Sequence, residues 1–144
     1  MGFLSGMDIS GSGLTAQRMR MDVISENIAN VDTTRAANGK PYTRQEVILQ
    51  ERNPKFSDVL KNSSGSSAVG GVSVAEIDND PTPYQLVYNP TSPDANAAGY
   101  VQMPNVDITQ EMVDMISAYR SYEANVTAFN SYKDMAVKSL EIGK

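Results

Sequence analysis

The stretch from Ile108 to Gly143, ITQEMVDMISAYRSYEANVTAFNSYKDMAVKSLEIG, decides the fold of this chain. It has no proline and no glycine before Gly143, and Asp107 with Gln110 three residues later predicts a capped helix start. At about 1.5 Å per residue, such a helix would be roughly 50 Å long. Its apolar residues recur every seven positions in two phases, which are Met112, Tyr119, Val126 and Leu140, and Met115, Tyr122, Phe129 and Ala136. A seven-residue repeat makes a narrow seam that another helix must cover.

A second heptad stripe lies at the front of the chain. It consists of Met7, Leu14, Met21 and Ile28, with Ile24 and Val31 in the offset phase. The stripe predicts a helix from about Asp8 to Val31. Its end is marked by Asn30 and by Asp32-Thr33-Thr34, whose side chains divert hydrogen bonds from a helix. Gly11-Ser12-Gly13 should weaken the first turns, so Ser12 is a candidate N-cap.

The middle of the chain has a different pattern. Asn38-Gly39-Lys40-Pro41 indicates a turn, and strands are predicted at Tyr42–Leu49, Val72–Ile77 and Gln85–Tyr88. A Ser/Gly-rich loop is predicted at Asn62–Ser67. We therefore predict an α+β fold in which long N- and C-terminal helices pair as a coiled-coil-like core around a small β-rich unit. The predicted parts are residues 1–34 (N-terminal core helix), 35–103 (β-rich insert) and 104–144 (C-terminal core helix).

Composition argues against most kinds of chemistry. The 144 residues include no cysteine and no histidine, so a thiol nucleophile is missing, and so is the commonest general base and metal ligand. A net charge of −5 and a pI of about 4.6 disfavour a nucleic-acid partner. The start of the chain lacks the pattern of a cleaved secretory signal, so if the protein is exported another route must carry it. No cofactor and no metal site are predicted.

Three motifs could still suggest a reactive or ligand-binding site. Asp78-Asn79-Asp80 resembles part of a calcium loop but lacks the later glycine and glutamate, so we interpret it as a solvated turn. Glu111, paired with Asp107 or Asp114, is interpreted as the solvated face of the long helix. Ser12 has no histidine to activate it. An enzyme is not expected.

Several motifs along the chain have a known counterpart. The front carries Ile24-Ser-Glu-Asn-Ile-Ala-Asn30 and Asp32-Thr-Thr34. The back carries Tyr88-Asn-Pro90, Pro93-Asp-Ala95, Gly99-Tyr-Val101, Pro104-Asn-Val106 and Arg120-Ser-Tyr-Glu-Ala-Asn125. Over nearly its whole length the chain resembles the flagellar axial family of rod, hook and filament proteins, and within it the C-type proteins of the proximal rod.

This resemblance implies a structural subunit of a hollow shaft that crosses the periplasm, transmits torque and conducts exported subunits. Expected partners are copies of the chain, other proximal and distal rod proteins, and the adaptor near the export gate, with no nucleic acid and no membrane insertion. The alternatives are a helical adaptor or export chaperone that binds client helices, and an acid-dependent hydrolase. The predicted assembly interface combines the heptad residues with polar motif residues: Met7, Leu14, Met21, Ile24, Asn27, Ile28, Asn30, Val31, Met112, Met115, Tyr119, Arg120, Tyr122, Asn125, Val126, Phe129 and Leu140.

Overall fold

The computed structural model describes residues 3–36, 38–52 and 70–142. In chain order, one long helix precedes and one follows two small antiparallel sheets, which confirms the predicted α+β class. The elements in chain order are α1 (Phe3–Ala29), β1 (Gln45–Glu51), β2 (Val72–Asn79), β3 (Gln85–Tyr88), β4 (Tyr100–Met103) and α2 (Ile108–Ile142).

Helix α2 begins where its capping residue predicts. Asp107 Oδ1 accepts hydrogen bonds from the backbone N–H groups of Thr109 (2.8 Å) and Gln110 (3.4 Å), which have no partner within the helix. The reciprocal half of the predicted capping box is absent, because the Gln110 amide donates forward to Asp114 at 3.3 Å. Gly143, a residue type that suits a C-terminal helix cap, lies outside the described residues.

Helix α1 starts earlier than predicted, at Phe3, and continues through Gly6, Gly11 and Gly13. Ser12 is therefore not an N-cap, and that prediction was wrong. Its hydroxyl donates to the Ile9 carbonyl at 2.7 Å and accepts from the Val72 backbone N–H at 3.1 Å. The tertiary contacts along this segment offset the low helix propensity of glycine. The end of the helix is close to the prediction, since α1 stops at Ala29. The side-chain amide of Asn30 donates to the Glu26 carbonyl at 2.9 Å.

The β region forms two separate two-stranded sheets rather than one unit. Strand β1 pairs with β2, with an irregularity between Ile48 and Leu49, and β3 pairs with β4. Strand β3 has the predicted bounds, while β1 begins three residues later than expected and β2 ends two residues later. Strand β4 was not predicted; it lies between Gly99 and Pro104, two residue types that usually indicate turns. The predicted loop at Asn62–Ser67 lies outside the described residues.

The two helices pack antiparallel along a line of small and polar residues. A methyl group added at Gly6 would lie 2.6 Å from the Tyr132 ring, and one at Gly13 would lie 3.0 Å from the Asn125 amide. Further along, Asn27 donates to Glu111 at 3.1 Å. The two residue numbers in each of these pairs add to 138, so the contacts follow one antiparallel register.

This contact line is shifted by one sequence position from the predicted line in each of the two helices. We expected Met7, Leu14, Met21 and Ile28 to meet the partner helix directly, but the line runs through Gly6, Gly13 and Asn27. In α2 it runs through Glu111, Asn125 and Tyr132, and Ala118 on the same heptad phase is fully buried. Small residues let the two backbones approach closely, and the larger apolar side chains then flank the line instead of occupying it.

Candidate assembly interface

Three residues of one predicted stripe of α2 are exposed to solvent. Met112 and Tyr119 are 55% and 56% exposed, and Leu140 is 75% exposed. Ile108 and Ile116, at helical spacing from Met112, are exposed on the same side, and the prediction omitted both. Every exposed residue of α2 from Ile108 to Tyr119 is uncharged. These three turns therefore present an apolar outer stripe, defined here as Ile108, Met112, Ile116 and Tyr119.

The other predicted interface residues lie at different depths in the subunit. Ile24 and Asn27 are buried, and Arg120 is exposed. The remainder are half-buried beside the helix contact line: Met7, Leu14, Met21, Ile28, Asn30, Val31, Met115, Tyr122, Asn125, Val126 and Phe129. Their contacts with neighbouring subunits stay a prediction.

A polar cluster that the sequence did not reveal joins the two helices to β1. The side chain of Asn27 is 1% exposed and makes four hydrogen bonds. Its amide nitrogen donates to the Gln45 carbonyl (2.9 Å) and to Glu111 (3.1 Å). Its amide oxygen accepts from the Tyr42 hydroxyl (2.9 Å) and the Gln45 backbone N–H (3.0 Å). Asn27 thus uses its full hydrogen-bonding capacity inside the subunit.

Glu111 is the opposite end of this cluster, on α2. Its carboxylate is 0% exposed, and its two oxygens accept from Asn27 and from Nε of Arg44, the latter at 2.6 Å. A buried carboxylate without partners would be strongly destabilising, so these two donors are required for the fold. The interpretation of Glu111 as a solvated residue was therefore wrong.

Arg44, just before β1, connects Glu111 to the ends of the sheets. Its guanidinium contacts Glu46 and the Asp80 carboxylate, the latter at 3.1 Å. Its backbone N–H donates to the Asn105 side chain at 2.8 Å, and the Asn105 amide donates to the Thr82 carbonyl at 3.1 Å. Asp80, expected in a solvated turn, is instead part of this network. We call Asn27, Arg44 and Glu111 the polar latch.

The electrostatics of the cluster follow from burial and pairing. Burial alone would lower the pKa of the Arg44 guanidinium, but hydrogen bonds to Glu111, Glu46 and Asp80 raise that pKa overall. Hydrogen bonds from Thr82, and then the Arg44 charge, hold the pKa of the Asp80 carboxyl below its ordinary value. Burial, with the negative charges of Glu26 and Glu111, raises the pKa of the Tyr42 phenol to about 12. Arg44 and Asp80 are therefore charged, and Tyr42 is neutral, over the ordinary pH range.

Within the described ranges, no group of three or more His, Cys, Asp or Glu side chains is placed to hold a metal ion. The described part of the chain also has no helix with the length and apolar content that crossing a bilayer requires. Asp114, one turn after Glu111 on α2, is paired with arginines: its carboxylate lies 3.8 Å from both Arg20 and Arg44. What the arrangement offers is an internal polar latch and an outward apolar stripe.

Both ends of the chain match family models of flagellar proteins. Residues 7–36 match the model described as "Flagella basal body rod protein", and residues 97–142 match "Flagellar basal body rod FlgEFG protein C-terminal". The chain is thus similar at both ends to rod proteins of the flagellar basal body.

Full-length relatives narrow this class. The chain is 56% identical to the flagellar basal-body rod protein FlgC of Bacillus subtilis, with 96% of each chain covered. It is 46% identical to that of Borreliella burgdorferi, over 99% of this chain and 98% of the relative, and 42% identical to that of Escherichia coli O6:H1 over the whole of both. The chain belongs to the FlgC family of flagellar basal-body rod proteins. This membership confirms the resemblance and the expectation of a structural rod protein rather than an enzyme.

Proposed function

We propose that the chain is a structural subunit of the proximal part of the flagellar rod, a hollow shaft that transmits torque and passes exported subunits. The rod role rests on family membership, and the position along the shaft rests on the resemblance to C-type rod proteins. Delivery by the flagellar export apparatus and a place in the part of the basal body that crosses the periplasm belong to the same proposal. The proposed partners are further copies, other rod proteins and the rod adaptor or export-gate components.

The observation that supports assembly through the terminal helices is the apolar outer stripe. Four large apolar side chains are 41–56% exposed within three helical turns that have no exposed charge. Leaving such a face in water is unfavourable, and apolar patches of this kind usually mark interaction sites. The stripe follows the spacing at which side chains of one helix pack into the grooves of another. In the rod, helices of neighbouring subunits would cover it and complete a coiled-coil-like core.

A head-to-tail contact between unlike surfaces that does not close into a ring generates an open array, as a shaft requires. The outer stripe is displaced by one residue, about 100° around α2, from the line that contacts α1. One helix can therefore serve the internal pair and a neighbour at the same time. This arrangement explains why the predicted heptad and the internal contact line occupy different phases of the same helix.

The test places a charge on the stripe. Met112→Asp would bury an unpaired carboxylate at the proposed contact, which costs several kcal/mol, so the variant should be lost from isolated basal bodies and its cells should not swim. Because Met112 is 55% exposed in the subunit, the monomer should keep its helicity by circular dichroism.

The matched control is Ser131→Asp, an exposed position on the same helix but away from the stripe. It should assemble and support swimming. Normal incorporation of the Met112→Asp variant into basal bodies, with normal motility, would contradict assembly through the stripe.

A further inference from the structure

The polar latch joins three points that are far apart in the sequence. Asn27 is near the end of α1, Arg44 directly precedes β1, and Glu111 is in the first turn of α2. Between the hydrogen-bonded residues the separations are 84 positions for Asn27 and Glu111, and 67 for Arg44 and Glu111. The latch can therefore form only when both ends of the chain and the start of the first sheet have come together.

Glu111 is the shared partner of the other two members of the latch. Glu111 is 0% exposed and Asn27 is 1% exposed, so water cannot replace a missing partner. Without Arg44, the buried carboxylate of Glu111 keeps no positive partner. Without Glu111, one donor of Asn27 and the Nε–H of Arg44 lose their acceptors. Such a buried network is strongly destabilised when any one member is removed, which makes its formation all-or-none.

The latch also determines where the sheets lie. Asn27 binds both the N–H and the carbonyl of Gln45, the first residue of β1, so a helix side chain holds the strand through its backbone. The Arg44 carbonyl accepts from the Asp80 N–H at 2.8 Å, next to the end of β2. Asn105, two residues after β4, binds the Arg44 N–H. Three strand ends thus converge on one arginine.

We infer that the polar latch is a conformational coupling device: it makes the placement of both sheets conditional on pairing of the two terminal helices. When α1 and α2 separate near Asn27 and Glu111, Arg44 loses its buried carboxylate partner, so the residue directly before β1 loses its link to α2 in the same step. A change in helix pairing at a subunit contact is then transmitted to the sheets. This inference goes beyond the proposed rod role and would hold for the isolated chain.

The first test needs no substitution. Native-state hydrogen exchange of the full-length monomer, measured across a denaturant series, reports which amides open together. The backbone amides of β1 should exchange through the same opening, with the same denaturant dependence, as those of α1 and α2 around Asn27 and Glu111. Exchange of β1 through a separate opening of lower free energy, with the helix amides still protected, would overturn the inference.

The second test breaks the latch at one atom. In Glu111→Gln, one of the two acceptor oxygens becomes an NH₂ group that faces either Asn27 Nδ2 or Arg44 Nε, so a donor meets a donor. The exchange rate of β1 amides should rise on the order of 100-fold or more, together with that of the paired helix turns. Glu123→Gln, an exposed position on the same helix, should change neither rate. A rise confined to α2, with β1 unchanged, would contradict the coupling.

Discussion

Gly71 provides a sharp test of how the first sheet is attached to α1. Its φ is 139°, a value that residues with a side chain rarely adopt. A methyl group there would lie 2.6 Å from the Ser12 hydroxyl oxygen, the same atom that accepts the Val72 N–H at 3.1 Å. Gly71→Ala should therefore strain the backbone and also displace the hydroxyl that holds the start of β2.

The magnitude follows from these two contributions. A non-glycine residue in such a backbone conformation costs about 1–3 kcal/mol. Loss of the hydrogen bond from Val72 to Ser12 adds about 1 kcal/mol. We expect Gly71→Ala to lower the free energy of unfolding by about 2–4 kcal/mol, measured by urea denaturation of the monomer.

The neighbouring residue supplies the control. Gly70 has no positive φ, and a methyl group there would meet no atom within 4 Å, so Gly70→Ala should change stability by less than about 0.5 kcal/mol. In a Ser12→Ala background, only the backbone contribution should remain for Gly71→Ala, which leaves a coupling of about 1 kcal/mol between the two sites. Equal stability of the Gly70 and Gly71 variants would refute the proposed contact.

Other substitutions test the rest of the account. Tyr42→Phe should lower stability by about 1 kcal/mol at pH 8, because a buried acceptor on Asn27 loses its donor. Since the pKa of Tyr42 is raised to about 12, its neutral form is favoured in the fold. The stability gained from that form should be complete below pH 10 and lost as pH rises from about 10 to 12. Denaturation curves measured at pH 8 and at about pH 12 should show this loss for the native protein and not for the Phe variant. Gly11→Ala should raise the unfolding free energy by up to about 1 kcal/mol in urea titrations, because helix propensity improves where a methyl group meets nothing within 4 Å. Tyr122→Asp and Ile28→Asp should each block rod assembly and swimming in a motility assay, because a charge would enter a half-buried apolar position; normal swimming by both would be the contrary result.

The sequence predicts the long helices well, because a cap and an uninterrupted helical pattern are local features. Asp107 predicts the start of α2, and the hydrogen bonds it accepts are present. Apolar periodicity, however, predicts the wrong contact line. The line runs through Gly6, Gly13 and Ala118, which let the helices approach closely because they are small. A search for large apolar side chains does not detect such residues. The stripe through Met112 and Tyr119 is real but faces outward.

The polar latch could not be predicted from local pattern alone. A glutamate on a long helix is usually solvated, and only the fold brings Arg44 within 2.6 Å of Glu111. A weaker signal did exist in the sequence. Glu111 lies seven residues before Ala118 and fourteen before Asn125, so a polar residue recurs at a heptad position of the helix. Polar residues in a heptad phase are typical of positions that specify register, and this interpretation would have placed Glu111 in the contact.

Burial of the outer stripe in the assembled rod is the central claim, and thiol labelling measures it directly. The chain has no cysteine, so Met112→Cys introduces its only thiol. Its reaction with a maleimide should be fast in the monomer, where position 112 is 55% exposed, and at least about tenfold slower in isolated basal bodies that contain the variant. Labelling in basal bodies at the rate of the monomer would contradict the claim that neighbouring subunits cover this helix face.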